Sequence, residues 1–245
     1  MTFTRHSELP LIPGPVYLLA ELHPGLMELI YQNEPDPSPE YLFDHTPFSS
    51  LREQGPLLLS LSAQGGLLES LRQDPKKVQG LLLASHSPTE ELLRHLRSIL
   101  EVGFDQQRRA IMRYYDPFVA SYFWPAISET ELNRWMGPAN EMYWFGGSWK
   151  DMVEQTMAWH ALQPRQRSAL THRQSQFILS ESQQQALVRQ SLEQFAFNWL
   201  QRHPAEPFDQ LFDRIQTGLA AGQDTESALS DWLMEDMSPR MEHRV

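Results

Sequence analysis

Arg113 and Asp116 are the two side chains whose types and spacing come nearest to chemistry in this chain. A guanidinium and a carboxylate at the end of a predicted strand stand where ligands bind in many α/β folds. On that reading the corner belongs to a small-molecule hydrolase or transferase, with a concave pocket and a titratable residue of shifted pKa. The same residues have a structural reading, and the spacing favours it. Asp116 is followed by Pro117. An aspartate in that place caps a helix by accepting hydrogen bonds from free backbone N–H groups, and proline at the first helical position loses nothing, because its N–H would be unpaired there. Arg113 then pins the corner as the ion-pair partner of Asp116.

No other pattern points to catalysis. The sequence holds no phosphate-binding loop, no Gly-x-Gly-x-x-Gly, no Gly-x-Ser-x-Gly and no His-Glu-x-x-His. Gly65-Gly66 and Gly146-Gly147 read as turns. His86 and His95 flank a strand–helix boundary at a spacing that does not suit a shared metal. Cysteine is absent, which excludes disulfides and thiol catalysis. The expectation is a protein without catalytic residues, metal or cofactor.

Aromatic side chains are the stronger signal. Tyr122, Phe123, Trp124, Trp135, Tyr143, Trp144, Phe145 and Trp149 crowd one part of the chain. Aromatics dominate cores and binding hot spots alike, and core is the default for any one of them. Tyr122, Phe123 and Trp124 are consecutive on a predicted helix, so they cannot all face inward. At least one of Tyr122, Trp124 and Trp149 is expected on an exposed apolar surface. Tyr114 and Tyr115 are expected on opposite faces of a strand, which leaves Tyr115 as a further candidate. Tyr115, Tyr122, Trp124 and Trp149 are therefore the candidate partner-binding residues.

These residues must be held by elements, and residues 110–138 form the organising stretch. Residues 111–115 read as a strand. Phe118, Val119, Tyr122 and Phe123 follow Asp116-Pro117 at one-face helical spacing. Ser128 with Glu131 is a capping box for a second short helix, which Gly137-Pro138 stops. Before this stretch, residues 1–14 read as a loose arm, 16–22 as a strand and 26–31 as a short helix. Pro35, Pro37 and Pro39 impose a loop. Strands at 57–61 and 78–84 enclose a short helix at 67–71. Ser87-Pro88-Thr89-Glu90 reads as a capping box opening a helix with apolar positions Leu92, Leu93, Leu96, Ile99 and Leu100. Residues 141–145 add a strand, and a helix is possible over 149–159. From Ser180 the chain reads as helical. One stripe is Val188, Leu192, Phe195, Ala196 and Trp199; the next is Phe208, Leu211, Phe212, Ile215 and Leu219. A last helix, capped by Asp224, buries Ala228, Leu229, Trp232 and Leu233. The expected architecture is an α/β (α+β) lobe over residues 1–150, with a mixed sheet flanked by helices. A helical lobe with a polar tail follows over 151–245.

Composition sets outer bounds. The 245 residues suffice for a sizeable core, and 41% hydrophobic with 21% charged residues is ordinary for a globular chain. A formal charge of −11 argues against nonspecific nucleic-acid binding, which needs lysine and arginine to neutralise phosphates. No apolar run approaches the roughly 18 residues that cross a bilayer, so membrane insertion is not expected. The first residues lack a basic region followed by an apolar core, which gives no expectation of a signal peptide.

Several ordered features together resemble the adaptor-chaperone family of bacterial type VI secretion systems, the Tap/Tec and VasW-like effector-loading proteins. They are GPLLLSL at 55–61, LLLASHSPTEELLRHLRSIL at 81–100, MRYYDP at 112–117, RWMGP at 134–138 and the C-terminal helical region. Phe118 departs from the family, which often has a basic residue after Asp-Pro. The resemblance implies a cytoplasmic, non-enzymatic protein that binds a toxic effector and mounts it on the secretion spike. The implied partners are that effector, with a PAAR-like or apolar N-terminal region, and the C-terminal part of a VgrG spike protein. Two other readings stay open: the hydrolase or transferase at Arg113–Asp116, and an immunity protein that neutralises a toxin.

Overall fold

The computed structural model describes residues 1–104, 108–165, 176–204 and 206–237. Its centre is a seven-stranded sheet in which every pairing is antiparallel. In chain order its strands are β1 (Thr2–His6), β2 (Val16–Glu21), β3 (Glu40–Tyr41), β4 (Pro56–Ser60), β5 (Gly80–Ala84), β8 (Glu141–Gly146) and β9 (Ala158–Gln163). In space they run β1-β9-β8-β5-β2-β4-β3. A smaller sheet, β10-β6-β7, joins β6 (Glu101–Gly103), β7 (Arg109–Ile111) and β10 (Phe177–Ile178), and here β10 lies parallel to β6.

Both faces of the large sheet are covered, which is why β2, β4 and β5 are nearly unbroken apolar runs rather than alternating ones. Leu19, Leu58, Leu81, Leu83, Met142, Trp144 and Leu162 point to one side. They pack there with residues of α3 (Thr89–Ser98), α4 (Pro117–Phe123) and α5 (Glu129–Met136). Leu18, Ala20, Leu57, Leu59, Leu82, Tyr143 and Trp159 point to the other, against α1 (Leu26–Asn33) and α2 (Leu67–Gln73). The period-two alternation of strand side chains thus feeds two separate cores. A third core unites α7 (Glu181–Arg202), α8 (Phe208–Ala220) and α9 (Glu226–Met237) around Trp199, Leu211, Ile215 and Leu233. Trp149 and Val153 of the short α6 (Trp149–Val153) pack against it.

The expected class, a helix-flanked sheet followed by a helical region, is the one observed. Several details differ. The chain returns to the large sheet after residue 150, because β9 at 158–163 inserts between β1 and β8. The possible helix over 149–159 stops at Val153, where Gln155 adopts a positive φ of 57°. Residues 1–14 are not a loose arm: Thr2–His6 is an edge strand. The strand expected at 111–115 ends at Ile111 and belongs to the small sheet. Neither capping box expected at Ser87–Glu90 or Ser128–Glu131 closes. Pro88 takes the N-cap position of α3, and the Ser128 hydroxyl bonds Thr130 and Glu131 side chains rather than the backbone. By contrast Ser180 with Gln183 forms a full box at α7. The last helix is opened by Thr225, whose hydroxyl accepts from Ala228 N–H, and not by Asp224. The polar tail from residue 238 lies outside the described residues.

Candidate partner-binding site

The Arg113–Asp116 corner is built as the spacing dictates. One Asp116 oxygen accepts from Phe118 N–H at 2.8 Å and Val119 N–H at 3.4 Å. The other faces the Arg113 guanidinium at 3.2 Å. Arg113 also pairs with Glu21 at the end of β2. Burial would lower its pKa, but Glu21 and Asp116 outweigh that and raise it. Asp116 is therefore occupied as a helix cap and Arg113 as a link between β2 and α4. This is the geometry of a structural corner, with no carboxylate left over to act as a base.

The four candidate binding aromatics separate into two groups. Tyr115 and Trp124 are core residues, 2% and 0% exposed. Tyr115 does not alternate with Tyr114 across a strand. Both lie in the turn after β7, ring edge to ring face at 5.6 Å, and both are buried. Burial pushes the Tyr115 hydroxyl up to about 12, with Glu21 adding to the rise. Trp124 donates its indole N–H to the Tyr114 carbonyl at 3.3 Å and meets the rings of Tyr114 and Phe123 edge-on. The expectation that Trp124 offers a free surface is thus corrected. Trp124 still lies at an α-helical position, its N–H bonded to the Ala120 carbonyl, and it is buried beside Phe123 while Tyr122 is the partly exposed one of the three; a 3-10 turn follows at 124–126.

Tyr122 and Trp149 are the second group, and the fold brings them together. Both are half-buried. The Tyr122 hydroxyl donates to Glu193 of α7 at 2.5 Å and accepts the backbone N–H of Trp149 at 2.8 Å. Glu193 is 1% exposed, and its second oxygen receives Arg189 Nε at 2.7 Å. Burying a carboxylate is costly unless such partners offset its lost hydration. Burial, reinforced by the Glu193 bond, holds the Tyr122 phenol well above its usual range, and that carboxylate raises the Arg189 guanidinium. The Trp149 ring stacks on Phe118 at 4.0 Å and leans on Phe197 at 5.0 Å. Tyr122 and Trp149 thus form the seam between the sheet layers and the helical region.

Beside this seam lies a groove of about 520 Å³. Phe3 of β1, Tyr122 of α4, Ser148 and Asp151 around α6, His160 of β9 and Arg189 of α7 contribute to it. A serine, a histidine and an aspartate meet here, which the linear sequence did not reveal. The geometry shows no catalytic relay. Ser148 and Asp151 form a capping box, the serine hydroxyl donating a hydrogen bond to Asp151 at 2.7 Å. That box, and Arg5, hold the Asp151 carboxyl below its usual range despite burial. His160 sits between Phe3 and Trp144, ring centroids 5.3 Å from each, and its Nε2 meets the Gly146 carbonyl at 3.2 Å. Burial lowers its pKa, so the ring is neutral at pH 7, Nε2–H donates, and the buried Nδ1 has no partner among the described residues. A second groove of about 550 Å³ runs along the other flank of Arg189, floored by Val188, Leu192 and Phe212. Val188 is 59% exposed there, so the first residue of the expected α7 stripe faces outward while Phe195, Ala196 and Trp199 are buried.

Residues 16–134 match the family model described as Domain of unknown function (DUF4123). The match runs from β2 through α5 and takes in the Arg113–Asp116 corner and Tyr122. Strands β1, β8 and β9 and helices α6–α9 lie outside it; the 550 Å³ groove on α7 and α8 is wholly outside the match, and the 520 Å³ groove joins matched residues such as Tyr122 to Phe3, His160 and Arg189 from outside it. Comparison with curated proteins and with solved structures returned no match. Among the described residues no helix is long and apolar enough to cross a membrane.

Proposed function

We propose that this protein is a non-enzymatic adaptor that binds a type VI secretion effector and helps load it onto a VgrG spike. One observation carries the reading. The ordered features that resemble the effector-loading adaptors, at 55–61, 81–100 and 112–117, all fall inside the DUF4123 match, and RWMGP begins on its last residue. The commitment of Asp116 to capping and of Ser148 to its own helix supports a binding role over turnover at either place. The partner surface in this reading is the grooved flank around Tyr122, Trp149 and α7, where a sheet edge and a helix ridge meet. The cytoplasm, where effectors are loaded, is the corresponding compartment.

The test is co-expression with the effector and spike genes encoded beside it, followed by tagged pull-down and size-exclusion chromatography. Co-elution with the effector, together with loss of effector solubility or delivery when this chain is omitted, is the expected result. Inhibition of the effector's toxicity without any role in delivery would point to an immunity protein instead. No complex with either neighbour would overturn the adaptor reading.

A further inference from the structure

The two edges of the large sheet are built differently. β3 is two residues long and follows the Pro35, Pro37, Pro39 run, so it offers almost no backbone to a newcomer. Short strands and prolines are common ways of blunting a sheet edge. β1, at the opposite edge, has five residues, Thr-Phe-Thr-Arg-His, with no proline, lysine or bulge. It pairs with β9 on one side only. Among the described residues, no backbone bond from another element reaches its outer side.

This open edge borders the 520 Å³ groove, because Phe3 belongs to both. Phe3 is 37% exposed and rests on His160. On the same face Arg5 reaches back to Asp151 and to the Thr156 carbonyl, which anchors the strand without covering its outer side. Beside Phe3 the groove wall includes the apolar Pro125, Ala126 and Ala186, with Asp151 and Arg189 also lining it. A row of unpaired N–H and C=O groups selects one kind of ligand, an extended segment that supplies the complementary row.

We propose that β1 is a strand-accepting edge. An extended, proline-free segment of the partner pairs with Thr2–His6 as an eighth strand, and one of its alternate side chains, apolar, enters the groove beside Phe3. This deepens the adaptor reading and rests on it for the identity of the partner; the mode of holding rests on the edge alone. Main-chain bonds provide affinity that tolerates different sequences, and the groove selects among them.

The experiment uses the full chain as bait for a displayed library of random twelve-residue peptides. The best binder is then resynthesised with single N-methyl groups at each position and followed by amide hydrogen exchange. Strand addition predicts that N-methylation weakens binding at least about tenfold at every second residue and little at the others, since only alternate N–H groups face the edge. It also predicts slowed exchange of amides within Thr2–His6. Failure to enrich any peptide, or N-methyl sensitivity without alternation, overturns the proposal. So does protection confined to the α7–α8 groove. If β1 is already protected in the free chain in a concentration-dependent way, a second copy occupies the edge and the proposal also fails. Because no effector is used, failure here leaves the loading test untouched, and failure of loading leaves this result standing.

Discussion

Tyr122 donates a phenolic hydrogen bond to Glu193, joining α4 to α7 through a carboxylate that water scarcely reaches. The same hydroxyl accepts from the backbone of Trp149. One oxygen atom therefore ties together the matched domain, the loop into α6 and the long C-terminal helix. Removing one partner of a buried charged group costs more than the bond itself is worth, because the remaining partner keeps its desolvation. Tyr122→Phe is expected to lower stability by about 2 kcal/mol. Glu193→Gln, which keeps an acceptor but removes the charge, should also weaken the seam. Equilibrium urea unfolding measures both; wild-type stability in Tyr122→Phe would show that the bond contributes nothing to holding the seam.

Trp124 provides the contrast. Truncating a fully buried tryptophan leaves a large cavity, and Trp124→Ala is expected to cost about 3–5 kcal/mol. Val188→Ala, on the exposed flank of α7, should stay within about 0.5 kcal/mol of wild type. Any loss of partner binding in Trp124→Ala should therefore track loss of folded protein. Thermal melts run beside the binding assay decide this: a variant that keeps its melting temperature but loses binding would return Trp124 to the surface.

The Glu34 carboxylate is buried and accepts the N–H groups of Ser62 at 2.8 Å and Leu67 at 3.3 Å. It organises the turn between β4 and α2 from beneath, and a Cβ on Gly65 would overlap it. Gly65→Ala is thus expected to destabilise by about 1–3 kcal/mol. At Gly25, whose φ is +88° but which has open space around it, alanine suffers only the backbone penalty, about 1–2 kcal/mol. Measuring both together with Glu34→Ala tests the cause. If Glu34→Ala does not relieve the cost of Gly65→Ala, the clash is not its source.

Burial lowers the pKa of His95 and of His160 below the ordinary histidine value. His95 lies under the helix stop, its Nε2 bonded to the Trp135 carbonyl at 2.9 Å. In the unfolded chain both rings titrate near 6.5. Below that pH the unfolded state binds protons that the folded state refuses, so stability should be flat above about pH 6.5 and fall as pH drops from there towards the folded-state values. Melting temperatures between pH 8 and 5 check the sign. His160→Gln should flatten part of the fall, and an unchanged slope in that variant would remove His160 from the account.

The helix-flanked sheet was legible because local chemistry and tertiary packing agree in its central elements. The runs VYLLAE, PLLLS and GLLLA are strands wherever both faces are covered, and Asp116-Pro117 starts a helix by its own chemistry. Reading failed where a distant element decides. Thr-Phe-Thr-Arg-His is too short and too polar to announce a strand, and becomes one only because β9 presents a free edge. The candidate aromatics divided by what packs around their helix: Trp124 is enclosed by Tyr114 and Phe123, whereas Tyr122 meets α7, and helical spacing carries no information on either neighbour. The groove at Phe3, Ser148, His160 and Arg189 gathers residues from four separate segments, which no spacing could join.

The register of β1 against β9 sets residue 2 opposite residue 163. During synthesis, β2, β4 and β5 can find one another as soon as they emerge, whereas β1 must wait for the last strand of its sheet. Non-local pairings of this kind delay folding, because loop closure must be achieved before the contact stabilises anything. Of the strands in this sheet, the one made first should therefore be among the last to settle. Pulse-labelled refolding should show amides of β2 and β5 protected before those of Thr2–His6, and simultaneous protection would mean that the sheet closes in one step. Until it closes, the growing chain carries an unclaimed strand, open to whatever extended segment lies nearest.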